Sequence, residues 1–203
     1  MNRREAIQQV AWLMGGAVSA PAIFGVLNGC TAKQDVAFKP VFLSAAQGAI
    51  VAEIAEIMIP RTATPGAQDV GIPQFIDTML KDVYAHEDQQ RYLDGLQAFD
   101  AGAVQLHQQP FLQLDAAQRA GFVQSVHDAA IAAEKAQHLP LAKLQRPFIL
   151  MTKELSMLGF FTSHVGATQV LQYVAVPGAF HACMPLSTAG NGKTWAVETS
   201  TRF

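Results

Sequence analysis

Apolar residues recur at helical spacing through most of this chain. Ile50, Val51, Ile54, Ile57 and Met58 fall three and four apart, which places them on one face of a helix. Ser44 with Gln47 three residues on is a capping-box pattern at its start. Pro60 stops it at Ile59, because the residue before a proline is pushed out of the helical region. Glu53 and Glu56 lie off the apolar stripe and read as a solvated face. A loop follows, Pro60 to Asp69. Its two prolines, one glycine and two threonines favour a fixed shape over a flexible one. Pro73 suits the first turn of a second helix through Phe75, Ile76, Met79, Leu80 and Val83. A third is predicted over residues 89–106, with Leu93, Leu96, Phe99 and Val104 as its apolar positions. Asp115 caps a fourth, whose inner face is Phe122, Val123, Val126 and Ile131. Pro147 opens a fifth through Phe148, Ile149, Met151, Leu155 and Leu158. Gly159 marks its end, and a short helical piece follows over 165–173. Beyond Val176-Pro177-Gly178 the periodicity is lost. The last stretch carries Pro185, Gly190 and Gly192, with Trp195 and Val197 in a short β-like run. The expected fold is mainly α, a compact bundle of about five helices with an irregular C-terminal tail. Such a tail is either disordered or laid along a partner, and Phe180 and Trp195 favour the partner.

The N-terminus has a different pattern. Met1-Asn2-Arg3-Arg4-Glu5 is followed by an uncharged stretch from Ala6 to Ala32. A charged start before a long apolar run is the layout of an export signal, and the pair Arg3-Arg4 is its twin-arginine form. Ala6-Ile7 departs from the Phe-Leu commoner after the arginines. The stretch ends Val26-Leu27-Asn28-Gly29-Cys30, similar to a lipoprotein processing box except at Asn28. Three outcomes stay open. Cys30 is lipidated, or the chain is cut near Ala20-Pro21-Ala22, or the segment is retained. A span needs about 20 apolar residues, but Gly15-Gly16, Pro21 and Gly25 make this one a poor permanent helix. Lipidation of Cys30 is the favoured reading. The organisation expected is therefore a signal segment over 1–29, a linker over 30–43, a helical domain over 44–176 and the tail over 177–203.

Composition narrows the chemistry. Half of the 203 residues are apolar and 15% are charged, against about 25% charged in an ordinary soluble domain. The net charge of -2, with no basic stripe, leaves no footprint for nucleic acid. The sequence has no Gly-rich phosphate loop, no His-Glu-x-x-His and no Cys-x-x-Cys. Its two cysteines, Cys30 and Cys183, cannot hold an iron–sulfur cluster. The six histidines are scattered. His127-Asp128 suggests a base and its orienter, but neighbouring residues on a helix point apart, so a surface helix is the better reading. Met151, Met157 and Met184 read as core or interface filler. Cys183 is either an intermolecular link or a buried free thiol.

The run Glu53-Ile54-Ala55-Glu56-Ile57-Met58-Ile59-Pro60-Arg61-Thr62-Ala63-Thr64-Pro65-Gly66-Ala67 resembles the gluconate 2-dehydrogenase subunit 3 family, as does Val70-Gly71-Ile72-Pro73-Gln74-Phe75-Ile76-Asp77. A second block, from Thr152-Lys153-Glu154-Leu155 to Gly159-Phe160-Phe161-Thr162-Ser163, is similar to it too. So are Gln172-Tyr173, Val176-Pro177-Gly178 and Cys183-Met184-Pro185. The resemblance implies a small subunit without catalytic, cofactor-binding or metal-binding residues of its own. It implies a large flavoprotein partner of the glucose-methanol-choline type that carries FAD. A multihaem cytochrome c often supplies haem c in a third subunit. The small subunit commonly holds the twin-arginine signal for the complex. On this resemblance Pro60, Arg61, Thr62, Thr64, Pro65, Gly66, Tyr173, Pro177 and Gly178 serve shape and contact, and Cys183 becomes the candidate link to the flavoprotein.

The expectation is thus an escort and anchor for an exported sugar or sugar-acid dehydrogenase on the periplasmic side of a bacterial membrane. The alternatives are a free-standing envelope lipoprotein with another partner or ligand, and a lone periplasmic enzyme built around His127.

Overall fold

The computed structural model describes residues 38–137, 145–176, 178–179, 183–185, 187–188 and 192–196. Arg3, Arg4, Cys30, Pro177, Phe180 and Val197 lie outside them. Residues 38–203 form a unit of their own.

Five α-helices make up the body: α1 (Ala45–Met58), α2 (Ile72–Asp82), α3 (His86–His107), α4 (Ala116–Gln137) and α5 (Phe148–Thr162). A 3-10 turn (Phe111–Gln113) joins α3 to α4, and a π-turn (Gly166–Val170) follows α5. No strand occurs among the described residues; a single parallel bridge links Gln172 to Trp195. The mainly α expectation is met.

The ends of the helices follow from local chemistry. At α1 the Ser44 side chain accepts from the Gln47 amide at 3.2 Å, and the Gln47 side chain accepts from the Ser44 amide at 2.9 Å. Asp115 and Gln118 repeat this exchange before α4, at 2.8 and 3.2 Å. Gly71, with φ of 77°, turns the chain into α2 through a left-handed conformation that a side chain resists.

Helix α5 touches all four other helices. Phe148, Ile149, Leu150, Met151, Leu155 and Phe160 are buried along it. It runs past Gly159, contrary to the expected stop. That glycine is spent on packing, since a Cβ there would sit 2.6 Å from the Phe75 ring on α2. Aromatic rings fill the space between α3, α4 and α5. Phe99 lies 4.9 Å from Phe111 and 4.9 Å from Phe122, and Tyr92 meets Phe148 edge-on at 4.9 Å. The Tyr92 hydroxyl is 2.9 Å from Thr152 Oγ1. Thr152 donates its own proton to the Phe148 carbonyl, so Tyr92 is the donor of this pair. Burial pushes the Tyr92 phenol above its usual range.

Helix α4 is attached differently. Only Phe122 and Val123 on it are buried. Arg119 pairs with Glu53 of α1 at 2.8 Å, and Arg146 bridges Glu134 and Glu154 at 2.6 and 2.7 Å. Three positions read as apolar-face residues, Val83, Val104 and Leu158, are in fact exposed. All three stand near the C-terminal ends of their helices.

Candidate functional site

The loop between α1 and α2 takes its shape from two carboxylates. Glu56, in the last turn of α1, accepts from the amides of Arg61 at 3.0 Å and Gln68 at 2.9 Å. Gly66 lies over that carboxylate, and a Cβ at this position would run into it. Asp69 accepts from the Gly66 amide at 2.9 Å and from Arg61 Nε at 2.7 Å, and a second Arg61 nitrogen completes a two-pronged pair. The Ala67 amide donates to the Ile59 carbonyl at 2.9 Å, and Ala67 is fully buried. Two backbone amides held by one carboxylate give a loop of one conformation, as its prolines and glycine suggested. Glu56 is therefore the template of the loop rather than part of a solvated face. Glu53 is engaged too, by Arg119.

The loop borders an open cavity of about 420 Å³ lined by Arg61, Thr62, Ala63, Thr64, Pro65, Asp69, Val70 and Val165. The loop and the start of the π-turn thus meet, although nearly a hundred residues separate them in sequence. Pro60, Arg61 and Thr62 are exposed, Thr64 and Pro65 half-buried, and Gly66 buried. The Arg61 guanidinium is neutralised by Asp69, so the loop presents shape more than charge.

The remaining candidates lie in the C-terminal stretch that follows the π-turn, the tail taken from Leu171 onward. Tyr173 is 57% exposed, and Val174, Val176, Met184 and Trp195 are exposed with it. Gly178 has φ of 73°, in the left-handed region that favours glycine. The Gln172 amide donates to the Thr194 carbonyl at 2.8 Å, and the Ala196 amide donates to the Gln172 carbonyl at 2.7 Å. The tail therefore returns to Gln172, and Trp195 stays at the surface. Cys183 is an exposed thiol, which removes the buried-thiol alternative.

His127 is better placed than its sequence context suggested. Its Nδ1 lies 3.0 Å from Asp128 and its Nε2 lies 3.0 Å from Lys153 Nζ. Both contacts are satisfied by a neutral ring with its proton on Nδ1. Asp128 is held below the usual carboxylate range by a hydrogen bond from Gln124, and next by His127. The adjacent side chains do meet, contrary to the expectation that they point apart. The histidine side chain is also mostly covered, not on an open surface. Lysine occupies the ring nitrogen that a general base needs for substrate. Met151 is buried in the core and Met184 is exposed. Among the described residues no three His, Cys, Asp or Glu side chains gather as metal ligands, and no helix is long and apolar enough to cross a membrane.

The position of Asp69, eight residues after Arg61, and of Glu56, just before the loop, is visible in the sequence. Nothing in the spacing tells that they bind the loop from inside. A third carboxylate, Asp77, left a clearer sign. It follows Ile76 on the stripe Pro73, Ile76, Asp77, Leu80, where a core residue belongs, and it is only 2% exposed.

The arrangement is that of a helical body with one braced loop and exposed apolar residues in the tail. In line with this, residues 45–178 match the family model described as gluconate 2-dehydrogenase subunit 3. The chain belongs to that family, one of accessory subunits of a dehydrogenase complex. Searches among curated proteins and solved structures match nothing.

Proposed function

We propose that this chain is the non-catalytic small subunit of a membrane-associated, flavin-dependent dehydrogenase of the gluconate or glucose type. It escorts the catalytic flavoprotein through twin-arginine export, directed by Arg3 and Arg4, and stabilises and anchors it on the periplasmic side. Cys30 is the anchoring position, and Cys183 is the covalent link to the flavoprotein. FAD belongs to the large subunit, and haem c to a cytochrome where one is present.

The observation that carries this reading is the family match over 45–178, joined to a tail that holds apolar side chains outside the core. Exposed apolar residues gathered in one segment mark a contact surface. A partner that binds only the folded state favours folding by mass action. The braced loop adds a preformed surface whose ordering entropy is already spent before any partner arrives.

The test is co-expression of the tagged chain with the flavoprotein, followed by affinity purification and a non-reducing gel. Flavin absorbance in the eluate, with a linked band abolished by Cys183→Ser, is the expected result. An eluate without flavin under conditions where both chains are made would refute the subunit reading. In the same cells, Arg3→Lys with Arg4→Lys should strand dehydrogenase activity in the cytoplasm. Unchanged periplasmic activity would refute the escort.

A further inference from the structure

Ahead of α1 the chain runs without helix or strand over residues 38–43, bending over Val41 to Leu43, and the body grips it at two separate places. Asp77 of α2 accepts from three consecutive amides: Val41 at 2.6 Å, Phe42 at 3.2 and 3.3 Å, and Leu43 at 2.8 Å. Gly48 of α1 forms the other grip. A Cβ there would lie 2.6 Å from Pro40 and 2.9 Å from the Phe38 ring, so the missing side chain is what admits them. Leu43 is buried beneath, while Val41 faces solvent.

A buried carboxylate on an apolar stripe is costly unless fully hydrogen-bonded. Here its partners are the amides of a segment 34 to 36 residues away in sequence. Three donors on one carboxylate form a strong, oriented contact. Backbone outside a helix or sheet is otherwise open to water and to proteases. The carboxylate and the glycine seat together solve both problems for this one stretch.

We propose that Asp77 and Gly48 form a clasp for residues 38–43 that shields the junction between the body and the N-terminal segment from proteolysis. The clasp opens locally, without unfolding the helices. Its consequence for anchoring, that an open clasp lets a protease separate the body from its anchor, rests on the function proposed above.

The test uses the full chain in membranes and chymotrypsin, which cuts after Phe38 and Phe42. Cleavage at these two sites is followed by mass spectrometry, with helix content followed by circular dichroism. Asp77→Ala should speed cleavage about ten- to a hundredfold, the range set by losing charge-assisted hydrogen bonds. Gly48→Ala should do the same by evicting Phe38 and Pro40, without touching the carboxylate. Asp77→Asn should fall between, since one acceptor oxygen remains. Helix content should stay at the wild-type level in Gly48→Ala, the milder change. Equal cleavage of wild type and both alanine variants would overturn the clasp. So would loss of helix content in both, because the strap would then be inseparable from the core. If cleavage accelerates but the cut body stays on the membrane, the clasp stands and the anchoring role of the N-terminal segment falls.

Discussion

Helix α5 and the segment 171–176 are both dense in apolar residues, and they meet opposite fates. Along α5, Phe148 to Met151, Leu155 and Phe160 are buried. In Leu171-Gln172-Tyr173-Val174-Ala175-Val176, Tyr173, Val174 and Val176 are exposed, the last at 83%. Met184 and Trp195 extend the exposed set along the tail. The difference lies in what each segment can fold against. Helix α5 has four helices around it, whereas among the described residues the tail is paired by one backbone bridge, Gln172 to Trp195. Burying a large apolar side chain is worth roughly 1.5–3 kcal/mol, so covering the exposed residues by a second molecule would add stabilisation of that order for each.

This contrast is sharpened by substitutions of graded size. Phe148→Ala should cost about 3–5 kcal/mol in denaturant unfolding, because the ring packs against Tyr92 and Phe99 and leaves a cavity. Two glycines in 22-residue helices should then respond with opposite sign. A Cβ on Gly95 of α3 would run into the Phe148 side chain, so Gly95→Ala should lose about 1–3 kcal/mol by overpacking, more than the helix gains. Gly121 of α4 has nothing within 4 Å of such a Cβ, so Gly121→Ala should gain about 0.5–1 kcal/mol from helix propensity. Equal effects at the two sites would contradict the difference in packing between α3 and α4.

A smaller effect tests the polar contact inside the core. Tyr92→Phe should cost about 1 kcal/mol, the net worth of an ordinary hydrogen bond. It also carries a signature in pH. The folded chain holds the Tyr92 proton more tightly than the unfolded chain does. Above about pH 10, where an unfolded tyrosine ionises, the unfolded state binds fewer protons than the folded one. Stability therefore falls as pH rises through that range. The fall should be shallower in Tyr92→Phe, as read from denaturation midpoints at pH 9 to 11, against about pH 10 for an ordinary phenol. An unchanged slope would mean the phenol is not held neutral by burial.

Most of the helical frame was legible because its signals are local. The Ser44–Gln47 cap, Pro60, Pro73 and Asp115 each act within a few residues. Periodicity likewise marked Ile50, Ile54, Ile76, Leu80, Leu96 and Phe99, all of them buried. The misses came where a residue answers to something distant. Gly159 reads as a helix end but serves Phe75 on another helix. Glu56 reads as a solvated carboxylate but holds amides across a loop. His127 and Asp128 meet in a side-chain contact that backbone geometry alone does not predict. At the candidate site, composition foretold a fixed loop; the carboxylates that fix it and its meeting with Val165 are tertiary facts.

The central claim is that the body is folded for itself and the tail surface is kept for a partner. The most direct test is the amount of flavin that co-purifies with the tagged chain when Tyr173 and Trp195 are both changed to alanine. The account predicts that flavin recovery falls at least tenfold, while the unfolding midpoint of the isolated chain moves by no more than about 0.5 kcal/mol, as for surface substitutions generally. Full flavin recovery with an unchanged midpoint would contradict it.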